Sequence, residues 1–512
     1  MAVPLVTDMI TKKIQSLFAL DSRSLALMRI GAGFFILWDL ILRLSDFSAH
    51  FGPQAVFSVE FARQLEQLPR QVVALTPSSA LMSLHTLSGS TLWQGLLFAL
   101  TFVAVTSYAI GYKTRLSALI SLILIMSMHN RNIMMLYPGD DFSRLVLFFS
   151  CFLPVGQVWS IDSQRKTTGH SATDFGFPAL YAAAYILFIS WYFSIAGFTK
   201  LGSSWKEGLG VYYLISRESW TTGLGGPIVS RLWLLHFLNE VTWYGESLLP
   251  ILFLLPWRNQ LFRTIGIVLY VVMLICFRVF IATYHVSQLG IVLLIGALPA
   301  YFWTLVRVAP AAEAVPRAGA TAPTWARRGL VGVFAAMMLL HSWSEWHRVS
   351  FLIPGMMTPP FPEPIRKLAL FVYASNPWRV YFVETKKLQD GWIVPRGYSS
   401  DGKRDLNLAT GEPFNLTKPK DFVVASGGFR WWRFYYRVYA YKPGEVRNRM
   451  IDQIADYHCR RALQQGLDAV EIILMELPGA PPLQPRPGPV KKVLATRQCL
   501  SAGAVAPLGA LH

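Results

Sequence analysis

Apolar residues in this chain gather into long runs separated by short polar stretches that are often basic. The runs extend from Leu25 to Leu44, Leu92 to Gly111, Leu116 to Met128, Ser143 to Val158, Leu180 to Phe198, Val241 to Pro256, Ile265 to Phe280, Val286 to Val306 and Leu330 to Trp343. Most approach the ~20 residues needed to cross a bilayer's hydrocarbon, and the shorter ones can tilt or re-enter. The pattern predicts an all-α polytopic membrane helical bundle of about eight to nine transmembrane helices. The first run follows a mixed polar segment containing Lys12 and Lys13 and is long, so it is expected to stay as an anchor and not be cleaved as a signal peptide.

Beyond the bundle the pattern changes. An Ala- and Pro-rich stretch from Ala309 to Pro323 reads as a flexible linker before the last span. After Glu345, strands are expected at Trp378 to Thr385, Trp392 to Pro395, Phe429 to Tyr441 and Ala469 to Leu474, with turns at Gln389-Asp390-Gly391 and Ser400-Asp401-Gly402. Glu445 to Gln465 has helical periodicity. The expected division is an N-terminal segment 1–24, a membrane domain 25–308, a linker 309–328, a final span 329–345, a small α+β extramembrane domain 346–477 and a Pro-rich disordered tail 478–512. No internal repeat is visible.

Composition agrees with the membrane reading: 53% of residues are hydrophobic and 15% charged, too apolar for a soluble surface. The formal charge of +18 raises nucleic-acid binding, but basic loops beside spans set orientation and attract anionic lipid, so no nucleic-acid partner is expected. Lys12, Lys13 and Arg23 precede the first span, and Lys113 with Arg115, Arg165 with Lys166, Arg258 with Arg263, and Arg307 through Arg328 follow the even-numbered ones. These place the N-terminus in the cytoplasm, and an odd number of spans then puts the C-terminal domain outside. Cys151, Cys276, Cys459 and Cys499 lack zinc-site spacing, and only Cys459 and Cys499 lie in the tail, where one bridge can form.

With that topology, three polar clusters fall on the outer side: His129-Asn130-Arg131-Asn132 through Gly139-Asp140-Asp141, the span exit at Lys200, and the turn at Tyr284 and His285. Lys200 facing a dry cavity would hold a neutral fraction able to act as a general base; the commoner alternative is a lysine whose stem lies along the helix and whose charge reaches the head groups. His285 can relay a proton or simply be hydrogen-bonded at a helix start. Asp140 and Asp141 suit helix N-capping, or one of them orients Lys200 or a substrate. Arg29 can snorkel, whereas Asp39 and Glu246 need internal partners. His341, Glu345 and His347 do not complete a metal set, and none is expected. The aromatic run Trp431 to Arg437 can stack bases, but in a strand beside a membrane it more often packs a core or lies on head groups.

Across roughly Leu25 to Pro299 these pieces together resemble the transmembrane domain of the vitamin K-dependent gamma-carboxylases and their bacterial relatives, the HTTM (horizontally transferred transmembrane) domain proteins. The resemblance rests on Leu27-Met28-Arg29-Ile30 through Trp38-Asp39, Gly111-Tyr112-Lys113-Thr114-Arg115, His129-Asn130-Arg131-Asn132, Leu153-Pro154, Trp159-Ser160-Ile161-Asp162, Ile195-Ala196-Gly197-Phe198-Thr199-Lys200-Leu201 with Trp205 and Gly208, and the His285 region. It implies that Lys200 is a catalytic base that deprotonates reduced vitamin K or another quinol. Oxygenation then yields a strong base that removes a glutamate γ-proton, and the carbanion takes up carbon dioxide. It also implies a functional histidine, which His285 matches in loose register, and a bacterial inner-membrane location.

The chain departs from the animal enzymes in two places. Gly139-Asp140-Asp141 stands where they carry an Asn-Asn-His stretch, and their long lumenal, propeptide-gripping domain is missing. Two functions are therefore open. One is a quinol-dependent, lyase-type enzyme with Lys200 as base and His285, Asp140 or Asp141 orienting or relaying. The other is a non-catalytic membrane scaffold or maturation or transport factor that recruits a protein through its C-terminal domain. A secondary transporter is disfavoured, since no repeated halves or paired broken helices are seen.

Overall fold

The computed structural model describes residues 16–67, 83–165, 178–309, 389–440 and 443–499, with isolated positions between 329 and 362. The strand expected at 378–385, the His341, Glu345 and His347 set, most of the last span and residues 500–512 lie outside the described residues.

Helix α1, Ser22–Ser45, starts where the Asp21 carboxylate accepts the Arg23 amide at 2.9 Å. Helix α2, Thr91–Ile110, starts on the Ser90 hydroxyl and stops at Gly111, whose φ of 72° is left-handed. A side chain at Gly111 would also strike Arg29 and Ser160. The remaining principal helices of the bundle are α3 (Thr114–Arg131), α4 (Pro138–Phe152), α5 (Pro178–Phe198), α6 (Leu232–Leu248), α7 (Asn259–Phe280) and α8 (His285–Gly296). Helix α1 packs on α2 and α8, α4 on α3 and α8, and α5 on α6.

Among the described residues, four helical segments are long and apolar enough to cross a membrane: Ser22–Ser45, Thr91–Ile110, Leu180–Phe198 and Asn259–Phe280. Phe34, Trp38 and Ile41 on α1, and Leu269, Val272 and Ile275 on α7, are exposed on the outer faces, as lipid-facing side chains are. The apolar window of α5 is 78% buried, so this helix is the axis of the bundle. Three of the expected spans are revised, and the one placed at Val241 to Pro256 is the helix Leu232–Leu248 followed by a 3-10 stretch, Leu249–Leu254, because Pro250 cannot continue the helical hydrogen bonds. The fourth helix begins at Pro138, upstream of Ser143, because proline suits a first helical position. The run from Val286 to Val306 is broken into His285–Gly296 and Ala300–Leu305 around Pro299.

The terminal unit holds strands β1 (Gly391–Tyr398) and β2 (Asp405–Asn407), helices α9 (Phe429–Ala440) and α10 (Glu445–Gln464), and strands β3 (Ala469–Glu476) and β4 (Val490–Gln498). The sheet is antiparallel in the order β2-β1-β3-β4. Alternation along β1 and β3 puts Ile393, Val470, Ile472 and Leu474 with Met450 and Ile454 of α10, and Trp392, Val394, Ile473 and Met475 with Trp432 and Phe422.

Of the strand expected from Phe429 to Tyr441, the described part, Phe429–Ala440, is a helix. Its aromatic β-propensity is overridden because Arg430, Arg433 and Arg437 recur at helical spacing and all three bond to the bundle. The segment after Pro478 is not a disordered tail through its described part. Residues 490–498 form β4, and a Cys459–Cys499 disulfide fastens its end to α10. The proline-rich stretch before β4 is held by the bundle and by the start of β1: Tyr212 Oη donates to the Ala480 carbonyl at 3.0 Å, and Arg486 donates to the Ser216 carbonyl at 2.8 Å and to Asp390, next to β1, at 2.6 Å.

Candidate functional site

Two buried groups of ionisable side chains sit in the bundle. The first is built where α5 and α6 touch. Gly197 lies so close to α6 that a Cβ there would fall 2.3 Å from the Ser247 Oγ and 2.5 Å from its amide nitrogen, so only glycine permits this approach. One turn further on, the Lys200 ammonium meets the Glu246 carboxylate and donates to the Ala196 carbonyl at 3.0 Å, while lying 4.9 Å from the Trp205 ring centroid. Both charged side chains are 1% exposed. Lys200 therefore does not carry its charge to the head-group layer, and Glu246, which the sequence required to have a partner, has found it. Glu246 and Trp205 carry no catalytic motif of their own, but an acid at mid-helix in an apolar run was a usable signal for Glu246.

The second group lies between α1, α3, α4 and α8. Asp39 and Arg43, one turn apart on α1, pair at 2.7 Å, and Arg43 also donates to Asp140 at 2.8 Å. Arg430, from α9 of the terminal domain, pairs with Asp39 and with Asp140 at 3.0 Å. Arg144 Nε donates to His129 Nδ1 at 2.9 Å, which fixes the tautomer: the proton sits on His129 Nε2, 3.2 Å from Asp140 Oδ1. Asp140 Oδ2 further accepts the Tyr137 amide at 3.0 Å, the capping role its position suggested.

Ligand atoms of Asp39, His129 and Asp140 all lie within 4.8 Å of one another, a spacing that a metal ion could bridge. The donor set nevertheless suits arginine. Guanidinium groups already occupy both carboxylates, and a divalent ion would add charge beside Arg43 and Arg430.

Asp39, His129, Tyr137, Asp140, Ser143 and His285 line a narrow cavity with Phe35, Ile36, Ile125, Gly139 and Leu289. Its water-sized room is about 10 Å³, enough for roughly one water. His285 is 6% exposed, and neither ring nitrogen has a hydrogen-bond partner among the described residues. The fold thus brings Asp140 and His285 to one cavity. Asp141 is buried beside Asp140 but outside the cavity lining, and Lys200 belongs to the other group. Helix α4 meets α5 through an aromatic layer, with the Phe142 ring 5.8 Å from Phe193 and 5.9 Å from Tyr192.

Arg29 does not snorkel. It is fully buried and donates to the Val155 carbonyl at 3.0 Å and to that of Trp159, closing the loop after α4 onto α1. Arg43 and Arg430 were not visible as site residues. Arg430 leaves one trace in sequence, the three-and-four spacing of arginines through an aromatic run.

Comparison of the chain with family models, curated proteins and solved structures returns no match in any of the three. The fold itself defines the class: an integral membrane protein, predominantly helical, with apolar helices in contact with the lipid bilayer and a small antiparallel sheet.

Proposed function

We propose that the protein is a membrane-embedded enzyme in which Lys200 is a general base toward a lipid-borne quinol, as the resemblance to vitamin K-dependent gamma-carboxylases and HTTM proteins implies. The observation that carries this reading is the burial of the Lys200–Glu246 pair, each side chain 1% exposed. In a dry interior an ion pair loses hydration that a neutral amine and acid do not need, so transfer of the proton from Lys200 to Glu246 frees the amine lone pair. The amine then takes the proton of a quinol hydroxyl: the O–H bond breaks, an N–H bond forms and the quinolate remains. The quinolate supplies, with oxygen, the strong base of the carboxylase reaction. Trp205 closes one side of the amine and excludes water from it.

The same reading has about nine spans, with α3, α4, α6 and α8 crossing or re-entering, a cytoplasmic N-terminus and an extracytoplasmic C-terminal domain in a bacterial inner membrane. Supporting it are the basic loops and the Cys459–Cys499 bridge, since disulfides persist in oxidising compartments.

Mass spectrometry of cell-envelope proteins, with and without the Lys200→Ala substitution, tests the chemistry. The expected result is a set of glutamates bearing an added carboxyl group in cells with the parent protein and none with the variant. Identical spectra, with the variant present and folded in the membrane, leave the scaffold function in its place.

A further inference from the structure

His285 opens α8 with both ring nitrogens buried and without a hydrogen-bond partner among the described residues, at the cavity it shares with Asp39, His129, Tyr137, Asp140 and Ser143. A neutral imidazole has one N–H to donate and one lone pair to fill, so a buried ring of this kind asks for a small polar guest. The room matches one water-sized molecule.

We infer that this cavity binds one water-sized polar molecule on His285, and that Phe429 and Arg430 of the C-terminal domain are its lid. Three features of the geometry make the closure. The Arg430 guanidinium bonds to Asp39 and Asp140 of the cavity wall and lies 4.9 Å from the Tyr137 ring centroid. The Phe429 ring wedges between Tyr137, at 4.9 Å, and Tyr284, at 3.5 Å. Tyr284 precedes His285 and holds a φ of 46°, a backbone conformation that a bulky residue adopts only when its surroundings impose it. Here the surroundings include the stacked Phe429.

Gly427 and Gly428, immediately before Phe429, have φ of 88° and 125°, left-handed values that favour glycine, so the turn that sets Phe429 and Arg430 over the cavity is built on these two residues. Behind them, Arg433 and Arg437 hold α9 to the Leu136 carbonyl at 3.0 and 3.1 Å, so the helix keeps two attachments to the bundle that do not depend on Arg430. Entry to the cavity is thereby placed under the control of the terminal domain, whether or not Lys200 is a base.

Diethyl pyrocarbonate, which acylates accessible neutral imidazoles, reads the lid directly in the full-length protein in detergent or nanodiscs, with each histidine followed by peptide mass spectrometry. Exposed His236 reports the reagent, and buried His85 and His458 report the fold. In the parent protein His285 is expected to be protected like His85. In Arg430→Ala its modification should accelerate by about ten-fold or more, the gain from releasing a lid shut in over nine-tenths of molecules, while His85 and His458 stay protected. Reactivity of His285 equal to that of His236 in the parent, or unchanged protection in Arg430→Ala, overturns the proposal. If Arg430→Ala exposes all the buried histidines, Arg430→Lys is read in its place. A selective rise at His285 supports the lid, and any other pattern makes Arg430 a determinant of folding and removes it.

Discussion

Lys200 at the end of α5 and Glu246 on α6 form an ion pair in which neither side chain is more than 1% exposed. The close helix contact at Gly197 sets this relationship, and four expectations follow from it and from the way the terminal domain is fastened.

Breaking the pair from one side leaves a charge stranded in the bundle. Glu246→Ala is expected to lower stability by about 3–5 kcal/mol, seen as a fall in the detergent unfolding midpoint. The double variant Lys200→Met, Glu246→Leu should regain most of that stability, because two apolar side chains of similar volume replace two desolvated charges. Equal midpoints for the single and double variants would show that the pair is not the source of the loss.

Gly197 is a packing requirement of the same site. Gly197→Ala should cost about 1–3 kcal/mol, since the methyl meets the Ser247 backbone as well as its side chain and α6 must move. Pairing Gly197→Ala with Ser247→Gly should recover only part of the loss. Complete recovery would mean that the hydroxyl alone limits the approach.

The terminal domain has a built-in acid sensitivity. His458 is buried beside Tyr435 at 2.9 Å, and burial, with the charges of Arg461 and Arg460, holds its pKa well below the ordinary 6.5. The unfolded chain therefore takes up a proton near pH 6.5 that the folded domain refuses. Stability is full above that pH and declines as pH falls through it, by up to about 1.4 kcal/mol per pH unit from this group. Unfolding midpoints at pH 7.5 and 5.5, compared with those of His458→Gln, isolate this contribution, and an equal drop in both proteins would assign it elsewhere.

The bridge between Cys459 and Cys499 fastens the last strand to α10 across 40 residues of sequence. Replacing both with serine should cost about 2–4 kcal/mol and loosen β4 first, visible as faster amide exchange over 490–498. Exchange unchanged at β4 would show that strand pairing alone holds it.

The order of residues alone was enough to name the solvent. Long apolar runs and sparse charge require a bilayer, and the periodicities of Leu180 to Phe198 and Ala469 to Leu474 carry into α5 and β3 because local pattern and tertiary packing agree there. It also marked Lys200, Asp140 and His285 as polar groups at a costly depth. That Lys200 belongs to Glu246 while Asp140 and His285 share another cavity emerges from helix packing, because pairing depends on which helices cross and on the glycine at 197 that lets α5 and α6 approach. The arginine spacing through the aromatic run hints at a helix but not at the partners of Arg430: it lies 290 and 391 positions from the two carboxylates it joins, and no local periodicity encodes a contact of that span. The reversal of Phe429 to Ala440 from strand to helix has the same origin, since three arginines reaching for the bundle outweigh the β-preference of the aromatic residues between them.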